Sequence, residues 1–441
     1  MRILIWTARR ARFLLLLLPA AAFAALVETG DLPALVRAAL AHNPDLAQQQ
    51  FILAAAREED DIARAPLLPQ ISAGASKTLE QGNASGGGEN DSRRSIYVSL
   101  NQQIFNLPLW ESHRAGEARV RAARARYAGA EQALRLSAVE AWLDFQLAGD
   151  LMRLSETRVE IAEEQYGRAQ SFAEAGAGTV VDVLEAEARL AGLRADLLQS
   201  EYNYNLEQDR LYSISGLRGR RAHLTREGVL HFPPLQPLGE WLARVAQESH
   251  AAAAARADLE SALALVRAAD RVIFPRVALS AESRTNGALS ERRENIVIAA
   301  EQTLYSGGGA RAEARRVAAN SAAARRAVRA VMRREELQTR ELHGRAALAQ
   351  SRWAALRASE SAAAAALDAT VAGYESGARI VADVLDAEET LFDARVQLRQ
   401  ARFNYLKDIA ALRALAGAVD DEFVAAIGAL FIPEGKEKSN V

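Results

Sequence analysis

Ala175–Leu190 reads AGAGTVVDVLEAEARL, and Ser376–Leu391 reads SGARIVADVLDAEETL. The second stretch is the first displaced by 201 residues, since Val183 falls on Val384 and Leu190 on Leu391. The same displacement carries EYNYNLEQDRLYSISG (Glu201–Gly216) onto RFNYLKDIAALRALAG (Arg402–Gly417). Solenoids repeat every roughly 20–50 residues. A period this long instead implies two similar halves, one half folded twice.

Working outward, each copy carries a seven-residue apolar seam. It is Val183, Leu190, Leu197, Tyr204 and Leu211 in the first copy and Val384, Leu391, Leu398, Tyr405 and Leu412 in the second. Such a seam calls for a helix supercoiled against a neighbour. Before each seam lies a proline-free run rich in Ala, Arg, Glu and Leu, all strong helix formers. The runs span about Leu109 to Phe172 and about Ala310 to Tyr374. At 1.5 Å per residue each makes a helix on the order of 95 Å long. That suits a coiled coil or a helical tube better than a globular core.

Period-two segments precede the long helices. Ile71, Ala73 and Ala75 alternate with Ser72, Gly74 and Ser76, and Ile96, Val98, Leu100, Gln102 and Ile104 with Tyr97, Ser99, Asn101, Gln103 and Phe105. The second half offers Val277, Leu279 and Ala281, then Ile296, Ile298, Ala300, Gln302 and Leu304. This predicts four strands with the length and alternation of barrel strands. Pro69 and Pro275 stand just ahead of the first strand of each half, where a missing N–H does no harm. A glycine-rich loop, about Gln81–Arg93, joins the first pair, and a shorter one, about Asn286–Arg292, joins the second.

The expected organisation is a leader at 1–24, a first repeat at 25–215, a connector at 216–237, a second repeat at 238–417, and a C-terminal segment with a polar tail at 418–441. Each repeat reads helix, strand, loop, strand, long helix, shorter helix. The leader has the marks of a secretory signal peptide: Arg2, Arg9, Arg10 and Arg12, an apolar run from Phe13 to Leu18, and Ala22-Phe23-Ala24 as a cleavage site after Ala24. No cysteine is available for disulfides or for a lipid anchor, so stability rests on packing and assembly. The 54 basic and 56 acidic residues become 50 and 56 once the four leader arginines go, which argues against a nucleic-acid partner. No apolar run of helix-spanning length follows the leader, so any membrane span is a β-barrel. Four strands cannot close one, because the smallest outer-membrane barrels have about eight. If the strands enter a membrane, they close by association, and three chains supply twelve.

With these features the chain resembles the TolC family of trimeric outer-membrane efflux and secretion channels. The resemblance is carried by GYESGARIVADVLDAEETL (Gly373–Leu391), ARFNYLKDIAALRALAG (Ala401–Gly417), NQQIFNLPLW (Asn101–Trp110) and the LYSGGG turn at Leu304–Gly309. It implies a mainly α protein with a β-barrel part. Long α-helical hairpins would form a periplasmic tunnel with an equatorial belt, under a twelve-strand barrel in the outer membrane of a Gram-negative bacterium. It also implies a homotrimer in contact with outer-membrane lipid. The partners would be a periplasmic adaptor (membrane fusion) protein and an inner-membrane pump, such as an ABC or proton-driven transporter. No cofactor is expected.

The candidate site is the pair of hairpin tips, where Gly176, Gly178 and Gly377 allow helix-to-helix turns. By the resemblance, Tyr374 and Arg379 hold the tip closed, and their partners correspond to Gln165 and Asp182. The expected lock joins Arg379 to Asp182 of a neighbouring chain, with Tyr374 adding hydrogen bonds near Gln165. An Arg fork suits a carboxylate. Val181, before Asp182, departs from the prototype, which has a hydroxyl there. Asp383 and Asp386, three apart, share a helix face. In a lone helix they are solvated charges. Under threefold symmetry they become two carboxylate rings that favour cations, as the family's periplasmic entrance does.

Two other readings stay open. A periplasmic coiled-coil adaptor or scaffold without a pore would explain the helices but not the alternating strands. An exported enzyme has little support, because His42, His113, His223, His231, His250 and His343 are scattered and no H-E-x-x-H, P-loop or G-x-S-x-G is present. The absence of a lipid-anchor cysteine leans towards type I secretion over lipoprotein efflux channels.

Overall fold

The computed structural model describes residues 31–79, 92–176, 178–220, 222–224, 235–286 and 291–433. The expected leader, most of the glycine-rich loop, part of the connector and the polar tail lie outside them. Helix α1 (Leu32–His42) gives way to α2 (Pro44–Arg64) at Asn43. The Asn43 side chain accepts from the N–H groups of Asp45 and Leu46, and Pro44 takes the first helical position, so the helix start is written locally. Strands β1 (Gln70–Leu79) and β2 (Ser92–Phe105) follow, then the 68-residue α3 (Leu107–Glu174), the 36-residue α4 (Val180–Ser215) and the short β3 (Ala222–Leu224).

The order then recurs. Helices α5 (Leu238–Glu248) and α6 (His250–Asp270) meet at Ser249, whose hydroxyl caps α6. Strands β4 (Arg276–Asn286) and β5 (Glu291–Glu301) lead to the 67-residue α7 (Gly309–Glu375) and the 35-residue α8 (Val381–Leu415). Helix α9 (Asp421–Gly428) and strand β6 (Phe431–Pro433) complete the described chain. At 1.5 Å per residue α3 and α7 are each about 100 Å long, and among the described residues no helix is long and apolar enough to cross a membrane.

The sheet is antiparallel in the order β1-β2-β4-β5. Its register aligns Ile71 with Leu100, Ala73 with Val98, Leu100 with Ala281 and Ala281 with Ile296. One face is therefore apolar across all four strands at this level, with Ser283 and Glu294 following on it towards the far end of the second pair. The other carries Ser72, Tyr97, Ser99, Glu282 and Arg284, with the Ser72 and Ser99 hydroxyls 2.8 Å apart. Ile71 and Ile296 are about three-quarters exposed in the single chain (74% and 75%). β5 ends at Glu301 instead of running to Leu304. As an edge strand it pairs only with β4, which starts at Arg276 opposite Glu301, just after Pro275. β2 reaches Phe105 because β4 still pairs with it there.

The main apolar core lies midway along the long helices. There Trp142, Phe145, Leu211, Phe403, Tyr405 and Leu406 are fully buried, and α1, α5 and α9 close around them. Trp142 meets Phe431 edge-on at 4.6 Å. That contact is held by the pairing of β3 with β6, which ties the connector to the C-terminal segment. Towards the tips the core thins to two seams, Val159, Ala162, Leu190 and Leu193 between α3 and α4, and Ala363, Leu391 and Ala394 between α7 and α8. All ten heptad residues are buried or half-buried. Nearer the sheet, Glu111 of α3 is buried in the grip of Arg114 (2.6 Å), Arg267 (2.8 Å) and Arg271 (2.5 Å), which locks α3 to the end of α6.

Candidate functional site at the hairpin tips

Both hairpins turn with one backbone design. In the first, Gly176 has φ +71° and Gly178 donates its N–H to Phe172 O at 3.0 Å. In the second, Gly377 has φ +74° and Arg379 donates to Gly373 O at 3.1 Å. The left-handed residue must be glycine in each, because a Cβ would crowd the following carbonyl. Around this common backbone the side chains trade size. Phe172 faces Gly178 in the first turn, where an added Cβ would come 3.2 Å from the Phe172 Cβ. In the second, Gly373 faces Arg379, and a Cβ on Gly373 would stand 2.9 Å from the Arg379 Cγ. Gly373 thus makes room for the stem of the arginine.

The next turn separates the two tips chemically. Thr179 caps α4, its Oγ1 accepting the Asp182 N–H at 3.2 Å, while the Asp182 carboxylate accepts the Thr179 N–H at 2.9 Å and its hydroxyl at 2.8 Å. Asp182 is thereby occupied within its own cap. At the matching position of α8 stands Ile380, which has no side-chain acceptor. Asp383 receives only a long 3.4 Å bond from the Ile380 N–H and turns to the Arg379 guanidinium, at 3.5 Å.

Within the chain, then, Arg379 pairs with Asp383 and not with Asp182, whose expected partner belongs to a neighbouring chain. Tyr374 does lie near Asp182: burial first, and then that carboxylate, hold its hydroxyl above the ordinary range. Gln165 donates its amide to Glu388 of α8, not to Tyr374. Burial pushes the Glu388 carboxyl up, against the opposing pull of Gln165, Arg158 and Arg189. Asp383 and Asp386 share one face of α8, and Asp386 makes no side-chain ion pair among the described residues.

A cluster above the tip was not anticipated from sequence. Arg158 of α3 stacks over the Phe392 ring at 4.4 Å and lies 3.9 Å from Glu389, which Arg189 of α4 also grips. With Gln165–Glu388 it ties the first hairpin to α8 of the second. Its signal was a departure between the copies, since the position of Glu389 in the second is Ala188 in the first. Among the described residues no group of His, Cys, Asp and Glu is arranged to hold a metal.

Long paired helices with a four-stranded, two-faced sheet at one end and charged hairpin tips at the other define an outer-membrane channel-tunnel. The family model described as "Outer membrane efflux protein" matches residues 35–217 and 241–418, and the chain belongs to that family. It is 24% identical over 438 residues to the outer membrane protein TolC of Escherichia coli K12, covering 95% of this chain and 89% of that protein. It is 25% identical over 396 residues to the alkaline protease secretion protein AprF of Pseudomonas aeruginosa, covering 86% and 82% of the two chains. The solved structure of the outer membrane protein VceC from Vibrio cholerae superposes with a TM-score of 0.78 at 18% identity, over 88% of this chain and 97% of that one. The protein is accordingly an outer-membrane duct of the kind that serves tripartite efflux and type I secretion systems.

Proposed function

We propose that three copies assemble into one duct: a twelve-strand barrel above and a helical tunnel below, gated at the tips, with each chain one half folded twice. The observation that carries this reading is the sheet. Four strands with an apolar and a polar face and two open edges, β1 and β5, cannot stand alone in a bilayer, where unpaired backbone groups cost several kcal/mol each. Repetition around a threefold axis pairs every edge and turns the polar face to the lumen. At the tips, the same axis brings Asp383 and Asp386 into two carboxylate rings and Arg379 within reach of the next chain's Asp182. The duct needs no cofactor and does no chemistry; an adaptor and an inner-membrane pump open the tip. The similarity to AprF, a protein named for alkaline protease secretion, favours a protein-exporting type I system over drug efflux.

Single-channel current of the purified full-length protein in planar bilayers tests the reading. A small, stable, cation-selective conductance is expected, and Asp383→Ala with Asp386→Ala weakens the selectivity. Protein that inserts no pore points to the scaffold alternative; unchanged ion preference in the double variant removes the rings.

A further inference from the structure

The sheet-proximal wall of the chain is a row of four helices, in which α2 packs on α3, α3 on α6 and α6 on α7. The two end helices each leave one face bare. On α2 the packed side holds Leu46, Leu53 and the half-buried Asp60. By the helical period of about 3.6 residues, Phe51, Glu58 and Ile62 lie on the opposite side, and Phe51 and Ile62 are 73% and 70% exposed. On α7 the packed side holds Val317, Ser321 and Glu335. The opposite side carries Arg311, Arg315 and Arg326, all exposed and none in an ion pair among the described residues, while Arg329 and Arg333 further along border a groove with α5. From residue 314 to 334 α7 has seven arginines and no acidic residue.

These bare faces match in height as well as charge. Helix α2 runs towards the sheet and feeds β1, whereas α7 runs away from it after β5, so closure of β1 on β5 of a second copy sets them side by side. Glu58 lies six residues before the end of α2, and Arg315 six residues after the start of α7, each about 9 Å from its sheet-side end. Phe51 lies thirteen residues before that end, and Ala322 thirteen residues after that start. Ala319 and Ala322 interrupt the arginine row at that height and leave room for a ring.

We propose that these two faces form the inter-chain seam of the tunnel wall. Glu58 would be flanked by Glu59 and Asp61 and set against Arg311 and Arg315 of a second copy of this chain, with Phe51 seated on Ala322. The inference rests on the trimeric reading above and adds to it a seam whose register is set by charge and by one aromatic knob. Opposed charges fix register and exclude other pairings more than they add affinity.

The natural chain has no cysteine, so a Phe51→Cys, Ala322→Cys double variant of the full-length protein reports the seam directly. A short bismaleimide is expected to convert it to covalent trimers, while either single variant stays monomeric on a denaturing gel. In parallel, Glu58→Arg with Glu59→Arg lowers the melting temperature of the trimer, and adding Arg311→Glu with Arg315→Glu restores it. Native mass spectrometry of the unmodified protein separates the outcomes. Trimers that neither cross-link at 51 and 322 nor respond to the paired reversal overturn the seam and leave the trimer standing. A protein that is monomeric throughout overturns both.

Discussion

The two hairpin tips share a backbone and differ in what their side chains are free to do. At the first, Thr179 and Asp182 close a capping box on themselves, and Val180, Val181 and Leu184 stand exposed beside it. At the second, Ile380 leaves the cap half made, and Asp383 is left to hold Arg379. A carboxylate that satisfies its own helix is a fixed structural part. One released from the cap can change partners, and in the proposed trimer it could exchange Arg379 of its own chain for a group across the axis. The tips differ at Thr179 against Ile380 and at Gly178 against Arg379, and in the proposed gate the second tip would be the moving half and the first the surface it closes on.

The largest effect is expected from removing Arg379 and Tyr374 together. Arg379→Ser with Tyr374→Phe is expected to raise single-channel conductance several-fold, while Thr179→Ala leaves it near the original value. Equal conductance in both variants would make the tips equivalent. Next in size is the shared turn. Gly377→Val, forced into the left-handed region, costs about 1–2 kcal/mol at the tip, and Gly176→Val the same. Amide exchange in α8 and α4 measures this; unequal losses would mean that the backbones are not equivalent after all.

Completing the second cap sharpens the contrast. Ile380→Thr is expected to stabilise the start of α8 by about 1 kcal/mol, the usual worth of a cap, and so to slow exchange of its first-turn amides roughly fivefold. It also draws Asp383 away from Arg379. If conductance then rises without a change at Arg379, the half-made cap is part of the lock. The smallest effect concerns pH. Because burial raises the Glu388 carboxyl above its ordinary value, its contribution to stability is greatest below the usual carboxylate range and is lost as pH rises through the raised value. Protection of α8 near Gln165 should therefore decline slightly over that interval, and Glu388→Gln should flatten the dependence; a slope unchanged by the substitution would assign it to another group.

Much of this was legible in the residues. Pro69, Pro275 and the tip glycines placed the element ends within a few positions, because proline and positive φ act on a chain's own neighbours. The tip residues were found through the repeat and through family resemblance, but the contacts they make within the chain were not. Five carboxylates lie within ten residues of Arg379, at Glu375, Asp383, Asp386, Glu388 and Glu389, and sequence spacing does not choose among them. The Arg158–Phe392–Glu389 cluster escaped for the same reason, since its members come from separate helices.

The residues alone were enough for the long helices with heptad seams and for four alternating strands. Periodicity and end signals are local, and each is set by a few neighbouring residues. The placing of β2 beside β4, the pairing of β3 with β6 from the far end of the chain, and the reach of Gln165 to Glu388 came only with the folded chain. Those contacts depend on which surfaces packing brings together, and packing is a property of the whole chain.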